Sequence, residues 1–339
     1  MEEHPIEISS KGKWIKVPAV NVNGAVLTIR GKWLRVATVH DEAWLPTEVS
    51  EPETYIKALR GDAAAADIFT FAQKLPGSKA KYNFPLEWDS VAVVHFATFK
   101  EWWEKLPQEA RKNVRRSQKR GVVVKVQDFD DNLIKGIEDV NNDSSARQGE
   151  RNYYYGRSRD ELKRDYSAFL DRSDFICAFL GEEMVGFLKV VYRGEVASIL
   201  NLTTKSSHSD KRPANALIAK AVELVEAKGI SYLTFGMYNY GNKRDSPLRE
   251  FKARNGFEEI LTPRFYVPLS AWGSFCLKLK LHRGLLGILP HTAIAALLDA
   301  RVKWRRFESQ WISRCSSMLE RPNRNRQMGR SNPPAGSNS

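Results

Sequence analysis

EEMVGFLKVVYRGEVASILNL, residues 182–202, followed by RPANALIAKAVELVEAKGISYLTFG, residues 212–236, decides the fold. The first stretch is two apolar, β-branched runs on either side of an Arg-Gly-Glu turn. With FICAFL before the turn at Gly181-Glu182-Glu183, it reads as three antiparallel strands. The second stretch changes period. Its apolar residues fall at 217, 218, 221, 222, 224 and 225, one face of a helix that opens at Pro213 and ends at Gly229. ISYLTFG then returns as a strand. A meander has run into a strand–helix–strand unit.

Working outward adds elements on both sides. Downstream, SPLREFKARNGFEE is a helix closing at Asn-Gly, and RFYVPLS is a last strand. Upstream, residues 130–140 and 158–171 read as helices, separated by the polar, tyrosine-rich loop NDSSARQGERNYYYG. VVVKVQ at 122–127 is a strand. Before it, a helix over residues 99–120 carries six Lys or Arg between Arg111 and Arg120. Leu106, Ala110, Val114 and Ser117 share one narrow stripe opposite those charges, and Gly121 ends the helix. Nearer the start, WIKVPAV, AVLTIR, WLRVATV, ADIFTFAQKLP and SVAVVHF read as strands, with a helix at EPETYIKALR.

Composition bounds the classes available. The 339 residues are 42% hydrophobic and 11% aromatic, enough for a packed core. Of the net charge of +13, +9 lies in residues 271–339, which hold 12 Lys or Arg against three acids. Anionic partners are therefore expected at that end. The acidic start MEEHPIEISS is no signal peptide, and no apolar run is long enough for a membrane-spanning helix. Cys177, Cys276 and Cys315 are widely spaced and suit a reducing cytoplasm. The six His residues have no metal-ligand spacing, and phosphate-loop, GxGxxG and GxSxG motifs are absent.

From Gly121 on, the order is β, α, α, β, β, β, α, β, α, β. It resembles the N-acyltransferase (GNAT) superfamily. Within that superfamily it is similar to the Fem-type transferases, through Arg111, Arg115, Lys119 and Gly121 in RKNVRRSQKRG and through Phe251-Lys252 before Gly256-Phe257. The resemblance covers residues 88–270 well and the first part weakly. It implies an α/β (α+β) GNAT fold with a mixed, mainly antiparallel central sheet. A smaller degenerate α/β unit precedes it and a helical extension follows. The implied divisions are an N-terminal unit at 1–97, the linking helix at 98–121, the transferase domain at 122–270, a basic amphipathic extension at 271–319 and a disordered tail at 320–339.

The resemblance also implies chemistry. An acyl donor, acyl-CoA or aminoacyl-tRNA, is held as co-substrate while two splayed strands bring an amine or hydroxyl to its carbonyl. Donor phosphates sit at the start of the central helix. Here that loop is DKRPANA, which assigns Lys211, Arg212, Ala214, Asn215 and Ala216 to donor binding. Both glycines of the acetyltransferase loop are missing, and Pro213 removes an N–H. Where many acetyltransferases have a Tyr acid, this chain has Lys252. Lys252, His208 and Asn201 are the catalytic candidates, with Glu195 and Glu223 as weaker bases. Arg147 and Arg151 suit a phosphate or carboxylate at the acceptor end. There Tyr154 and Tyr238, with Tyr153, Tyr155 and Tyr240, suit a sugar.

The C-terminal extension has its own pattern. Residues 284–298 carry no Lys, Arg, Asp or Glu, are broken by Pro290, and lie between basic flanks. Residues 275–312 therefore read either as a segment lying on an anionic membrane surface or as a helical hairpin packed against the core; the first reading gives a cytoplasmic, peripheral protein with a small-molecule or lipid-linked acceptor such as an amino sugar or cell-envelope precursor. Two rivals remain at this point. One is a nucleic-acid binder using helix 111–120. The other is a catalytically silent, membrane-associated scaffold of the same fold.

Overall fold

A computed structural model describes residues 4–10, 12–45, 48–60, 66–147, 150–239 and 246–284. Met1–His282 form one compact unit. The run 284–298 and the tail 320–339 lie outside the described residues, apart from Gly284.

The first elements are β1 (Ile6–Ser10), β2 (Lys13–Val17), β3 (Ala19–Val22), β4 (Ala25–Arg30), β5 (Val36–Val39), α1 (Pro52–Arg60), β6 (Ile68–Ala72) and β7 (Leu86–His95). Then come α2 (Phe99–Lys105), α3 (Gln108–Lys119), β8 (Val122–Gln127), α4 (Asp131–Asn141), β9 (Ala146–Arg147), β10 (Glu150–Arg151) and α5 (Arg159–Tyr166). The last are β11 (Ser173–Leu180), β12 (Glu183–Arg193), β13 (Val196–Thr204), α6 (Pro213–Ala227), β14 (Tyr232–Met237), α7 (Pro247–Arg254), β15 (Glu258–Pro268) and α8 (Ala271–Lys278).

Eleven strands form one sheet in the order β3-β4-β5-β6-β15-β7-β14-β13-β12-β11-β8. Neighbours are antiparallel except β5 with β6 and β13 with β14. Each parallel pair is joined through a helix, α1 in the first case and α6 in the second, as parallel strands require. The sheet is mixed and mainly antiparallel, as the sequence implied. The division at residue 97 falls inside it: β7 lies between β14 and β15, and β15 pairs with both β6 and β7.

Strand alternation sorts side chains onto two faces. On one face, Leu188, Val190 and Ile199 pack with Leu217, Ile218 and Val222 of α6 and with Trp102, Ala110 and Val114 of α2 and α3. On the other, Phe175 and Phe187 meet Ile134, Ile137, Leu162 and Tyr166 of α4 and α5. A separate apolar cluster joins Leu27, Ile29, Phe69 and Phe71 to Tyr55 and Leu59 of α1 and to Phe265 of β15.

Several elements differ from the sequence reading. The helix over 99–120 is two helices. Pro107 has no N–H to give and holds Leu106 extended at ψ 142°. The stripe Leu106, Ala110, Val114 and Ser117 is buried as read. Pro18 divides WIKVPAV between β2 and β3 in the same way. The helix at 158–171 ends at Tyr166, and Phe169 at φ 61° cannot continue a right-handed helix. β15 begins at Glu258, six residues before the strand seen in the sequence, because β7 pairs with it from Val93↔Glu258 onward. α8 packs through buried Gly273 and Cys276 against Leu34 and Ile68, so its first turns belong to the compact unit.

Candidate active site

β13 and β14 pair only from Val196↔Tyr232 to Ser198↔Thr234. Beyond that point they part. β13 continues along β12 to Thr204, with a bulge at Leu200 where the register passes from Val190↔Ile199 to Lys189↔Asn201. β14 follows β7 instead, with its own bulge between Thr234↔Val93 and Met237↔Val91. Bulges bend and twist the strand that carries them, and here both lie on the walls of one opening. At its apex the Ser198 and Thr234 hydroxyls stand 2.7 Å apart.

Lys252 fixes one wall. It is fully buried in α7, and its Nζ donates to the carbonyls of Phe235 (2.6 Å) and Met237 (2.7 Å), on the bulged part of β14. The Phe235 ring lies under the ammonium, 4.5 Å to its centre. Burial pulls the Lys252 pKa down to about 8. The sequence placed this lysine at the site, and the structure gives it a contact with the strand backbone.

α6 starts at the far end of the opening. β13 passes through a short 3-10 turn, Ser206–Lys211, to Arg212 at φ 56°, and no side chain caps the helix. Its start lines a cleft of about 300 Å³, where Arg212 and Ala214 stand beside Asn113 of α3 and Arg254 of α7. Glu109 and Glu250 also line it, so its charge is mixed.

The donor-binding candidates divide. Arg212 is exposed and Ala214 half-buried at the cleft; Asn215 is largely buried but also lines it, and Ala216 is buried away from it. Asn215 Nδ2 donates to Asn255 Oδ1 (2.9 Å) and so ties α6 to the end of α7. Lys211 stands 3.5 Å from Asp210. His208 lies 3.2 Å from Glu183 at the start of β12 and 3.4 Å from Lys211. That places the imidazole on the β12 side of β13, away from the opening. Arg120 holds the same loop through Asp210, at 2.7 and 2.8 Å. Glu195 is exposed in the β12–β13 turn, and Glu223 is occupied by Lys220 at 2.7 Å.

The opposite sheet face holds a second cleft, of about 630 Å³, with Asn201, Trp14, Trp44, Tyr153, Tyr154 and Arg164 in its walls. The Arg164 guanidinium stacks on the Trp14 ring at 3.8 Å. Tyr154 packs on Tyr166 at 5.5 Å. Tyr238 lies elsewhere, buried under the Arg249 guanidinium at 5.3 Å. Arg151 is exposed on β10. The side chain of Arg147, and all of Tyr240, lie outside the described residues.

Sequence reasoning passed over three cations. Lys189 is fully buried in β12 and donates to the carbonyls of Tyr166 (2.7 Å) and Ala168 (2.5 Å). Burial lowers its pKa to about 8. Arg193 and Lys74 line a smaller cavity beneath the apex. The available signal was a lysine on the same strand face as Phe187 and Val191, an inward position where a charge must find partners. Among the described residues no cluster of three His, Cys, Asp or Glu stands close enough to hold a metal. No helix there is long and apolar enough to cross a membrane.

Comparison with known proteins agrees with this fold. Residues 105–245 match the family described as Acetyltransferase (GNAT) domain. No curated protein matches the chain in sequence. Among solved structures, FemX superposes with a TM-score of 0.55 at 12% identity, over 81% of this chain and 90% of that one. The C-terminal domain of an Agrobacterium fabrum protein assigned as a lysylphosphatidylglycerol synthetase gives 0.52 at 14% identity, over 77% and 87%. At such identities the likeness is one of fold.

Proposed function

We propose that this chain, whose residues 105–245 form a GNAT-type transferase domain, moves an acyl or aminoacyl group from a phosphate-bearing donor to an amine or hydroxyl at the opening between β13 and β14. One observation carries the reading. Two parallel strands pair for three residues and then part, next to the uncapped start of a 15-residue helix. In the reaction, the acceptor nitrogen or oxygen bonds to the donor's acyl carbon. The bond from that carbon to the donor's sulfur or ribose oxygen breaks, and the acceptor's proton ends on the leaving group. The parted edge of β13 supplies backbone donors for the developing oxyanion. The start of α6, with Lys211 and Arg212, holds donor phosphates. Lys252 positions the β14 wall through its two carbonyl contacts.

Acyl-CoA and aminoacyl-tRNA share this donor chemistry. The loop without glycines and the exposed Lys112, Arg115, Arg116 and Lys119 on α3, the helix beside the cleft, favour the polyanionic tRNA. The aromatic walls around Asn201 and Tyr154 suit a sugar-containing acceptor, an amino sugar or a cell-envelope precursor. One structural neighbour carries a lipid product in its assigned name, and a lipid-linked acceptor reached from the cytoplasmic face of a membrane is the form of this proposal that uses the basic C-terminal region.

The test is calorimetry of the full chain with acetyl-CoA and with aminoacyl-tRNA. The double variant Lys211→Ala, Arg212→Ala is expected to bind the productive donor about tenfold more weakly or worse, with an unchanged melting temperature. If neither donor binds the natural chain, or if the variant binds equally well, the donor assignment is wrong.

A further inference from the structure

Beneath the apex of the opening, on the sheet face away from α6, lies a cavity of about 220 Å³. That is below the range of roughly 300–1,000 Å³ that holds drug-sized ligands, so its occupant is small. Its floor is the Ser198–Thr234 hydroxyl pair, the last paired residues before β13 and β14 part. Gly236 and Met237 of β14 continue the wall, and the Met237 carbonyl is one that Lys252 holds.

The charges lining this cavity do not cancel. Three are cationic, Lys74, Arg193 and Arg264, and two are anionic, Glu42 and Asp89. Both carboxylates hold Arg264, whose Nε donates to Asp89 (2.7 Å) and whose Nη2 donates to Glu42 (3.0 Å), and Glu42 also attracts Lys74. Glu42 also accepts from the Ala72 N–H at 2.6 Å. Lys74 Nζ donates to the Leu45 carbonyl at 2.5 Å. Arg193 is half-buried, and its Nε donates to the Ser198 hydroxyl at 3.1 Å. Among the described residues no carboxylate lies within ion-pair distance of it, although burial works against its charge and pulls its pKa down to about 10. Burial, and then the Arg193 charge, pull Lys74 down to about 8 against the attraction of Glu42 and Glu48. Arg193, repelled by Lys74 in a partly dry, polar-floored cavity, is therefore a lining cation with no carboxylate beside it among the described residues.

We propose that this cavity is an anion subsite that takes the carboxylate of a small carboxylate-bearing amine, with Arg193 as its principal ligand and Lys74 as the second. A guanidinium offers a carboxylate two parallel N–H donors, and the Ser198 contact uses only Nε. A carboxylate seated there brings an adjacent amine to the apex where the strands part. The amine would then be the acceptor of the acyl group, which narrows the acceptor proposed above to a compound that carries a free amino acid, its carboxylate in this cavity, in place of an amino sugar. The acceptor role rests on the acyl-transfer reading; the anion subsite does not.

The experiment is calorimetry of the full chain and of Arg193→Gln and Lys74→Gln, with L-alanine, L-alaninamide, acetate and inorganic phosphate as probes. L-alanine and acetate are expected to bind the natural chain, and L-alaninamide to bind at least about tenfold more weakly. Each variant is expected to lose about tenfold in carboxylate affinity while keeping its melting temperature. Absence of carboxylate binding to the natural chain overturns the subsite, as does binding of phosphate in its place. If Arg193→Gln does not fold, Lys74→Gln decides, and unchanged carboxylate affinity in it overturns the subsite. Donor binding measured on the same samples separates the two readings. Carboxylate binding without any donor binding removes the acceptor role and leaves the subsite standing.

Discussion

Two buried lysines show what single residues contribute here. Lys189 and Lys252 are both fully buried, and each donates to two backbone carbonyls. Each has its pKa lowered by burial to about 8 from an ordinary 10.5. Below pH 8 both the folded and the unfolded chain hold these protons, and the cost of burying the charge is fully present. Between about 8 and 10.5 the folded chain releases the proton first, so the unfolded chain binds more protons and stability rises with pH. The natural chain should therefore gain stability relative to Lys252→Met between pH 7.5 and 9.5, on the order of 1–2 kcal/mol at about 1.4 kcal/mol per unit. Lys189→Met should behave alike. Urea midpoints at the two pH values measure this, and an unchanged difference between natural chain and variant would remove the buried-charge account. Lys252 was legible in the sequence because it stands four residues before Gly256 at the end of a helix. Lys189 was passed over although it shares a strand face with Phe187 and Val191; its full depth depends on the end of α5, whose Tyr166 carbonyl it meets.

Elements were legible where their own residues carry the signal. The period of α6, the meander β11–β13 and the buried stripe of α3 are all local patterns, and all three formed as read. Strand ends and bulges were not, because they depend on partners far away in sequence. β15 is extended at Glu258 by β7, and the bulge of β14 arises where its register with β7 slips. The contact between β12 and β13 gives a test at this scale. A Cβ added at Gly186 would lie 2.7 Å from Thr204 Cγ2 and 3.0 Å from the Thr203 carbonyl oxygen, both on the strand that walls the opening. Backbone cannot yield there without moving β13, so Gly186→Ala should cost roughly 1–3 kcal/mol and weaken donor binding. Gly136 is the control. Its added Cβ would lie 2.5 Å from Met184 Cε, the end of a flexible side chain, and alanine favours the helix by roughly 1 kcal/mol. Thermal melts should place Gly136→Ala near the natural chain and Gly186→Ala well below it. Equal melting temperatures would mean that β12 and β13 have more slack than their register implies.

At the scale of the whole molecule, the sequence reads as two regions divided at residue 97, whereas Met1–His282 form one compact unit. The sequence did not show that one sheet runs through both, since that depends on β15 inserting between β6 and β7. The same insertion sets α8 against Leu34 and Ile68 and leaves a row of aromatics on the outside. Trp33, Trp272, Phe275 and Leu279 are between 44% and 59% exposed. They form one patch: Trp272 donates to the Trp33 carbonyl at 2.8 Å, meets its ring edge-on at 6.3 Å, and stacks on Phe275 at 5.5 Å. Lys278, Lys280 and Arg283 follow directly, at the start of the region that carries most of the net charge. Tryptophan favours the membrane interface, and each basic residue near an anionic surface adds roughly 1 kcal/mol. Apolar and basic signals together are what firm peripheral attachment needs. The full chain should therefore co-sediment with vesicles containing phosphatidylglycerol and not with neutral phosphatidylcholine vesicles, and binding should fall as salt shortens the screening length. The double variant Trp272→Ala, Phe275→Ala should lose most of this binding. Buried Gly273 and Cys276 keep α8 docked, so its melting curve should change little. If the variant sediments like the natural chain, the patch takes no part in attachment. If the natural chain ignores anionic vesicles altogether, the acceptor is met in solution and the lipid-linked form of the proposal falls.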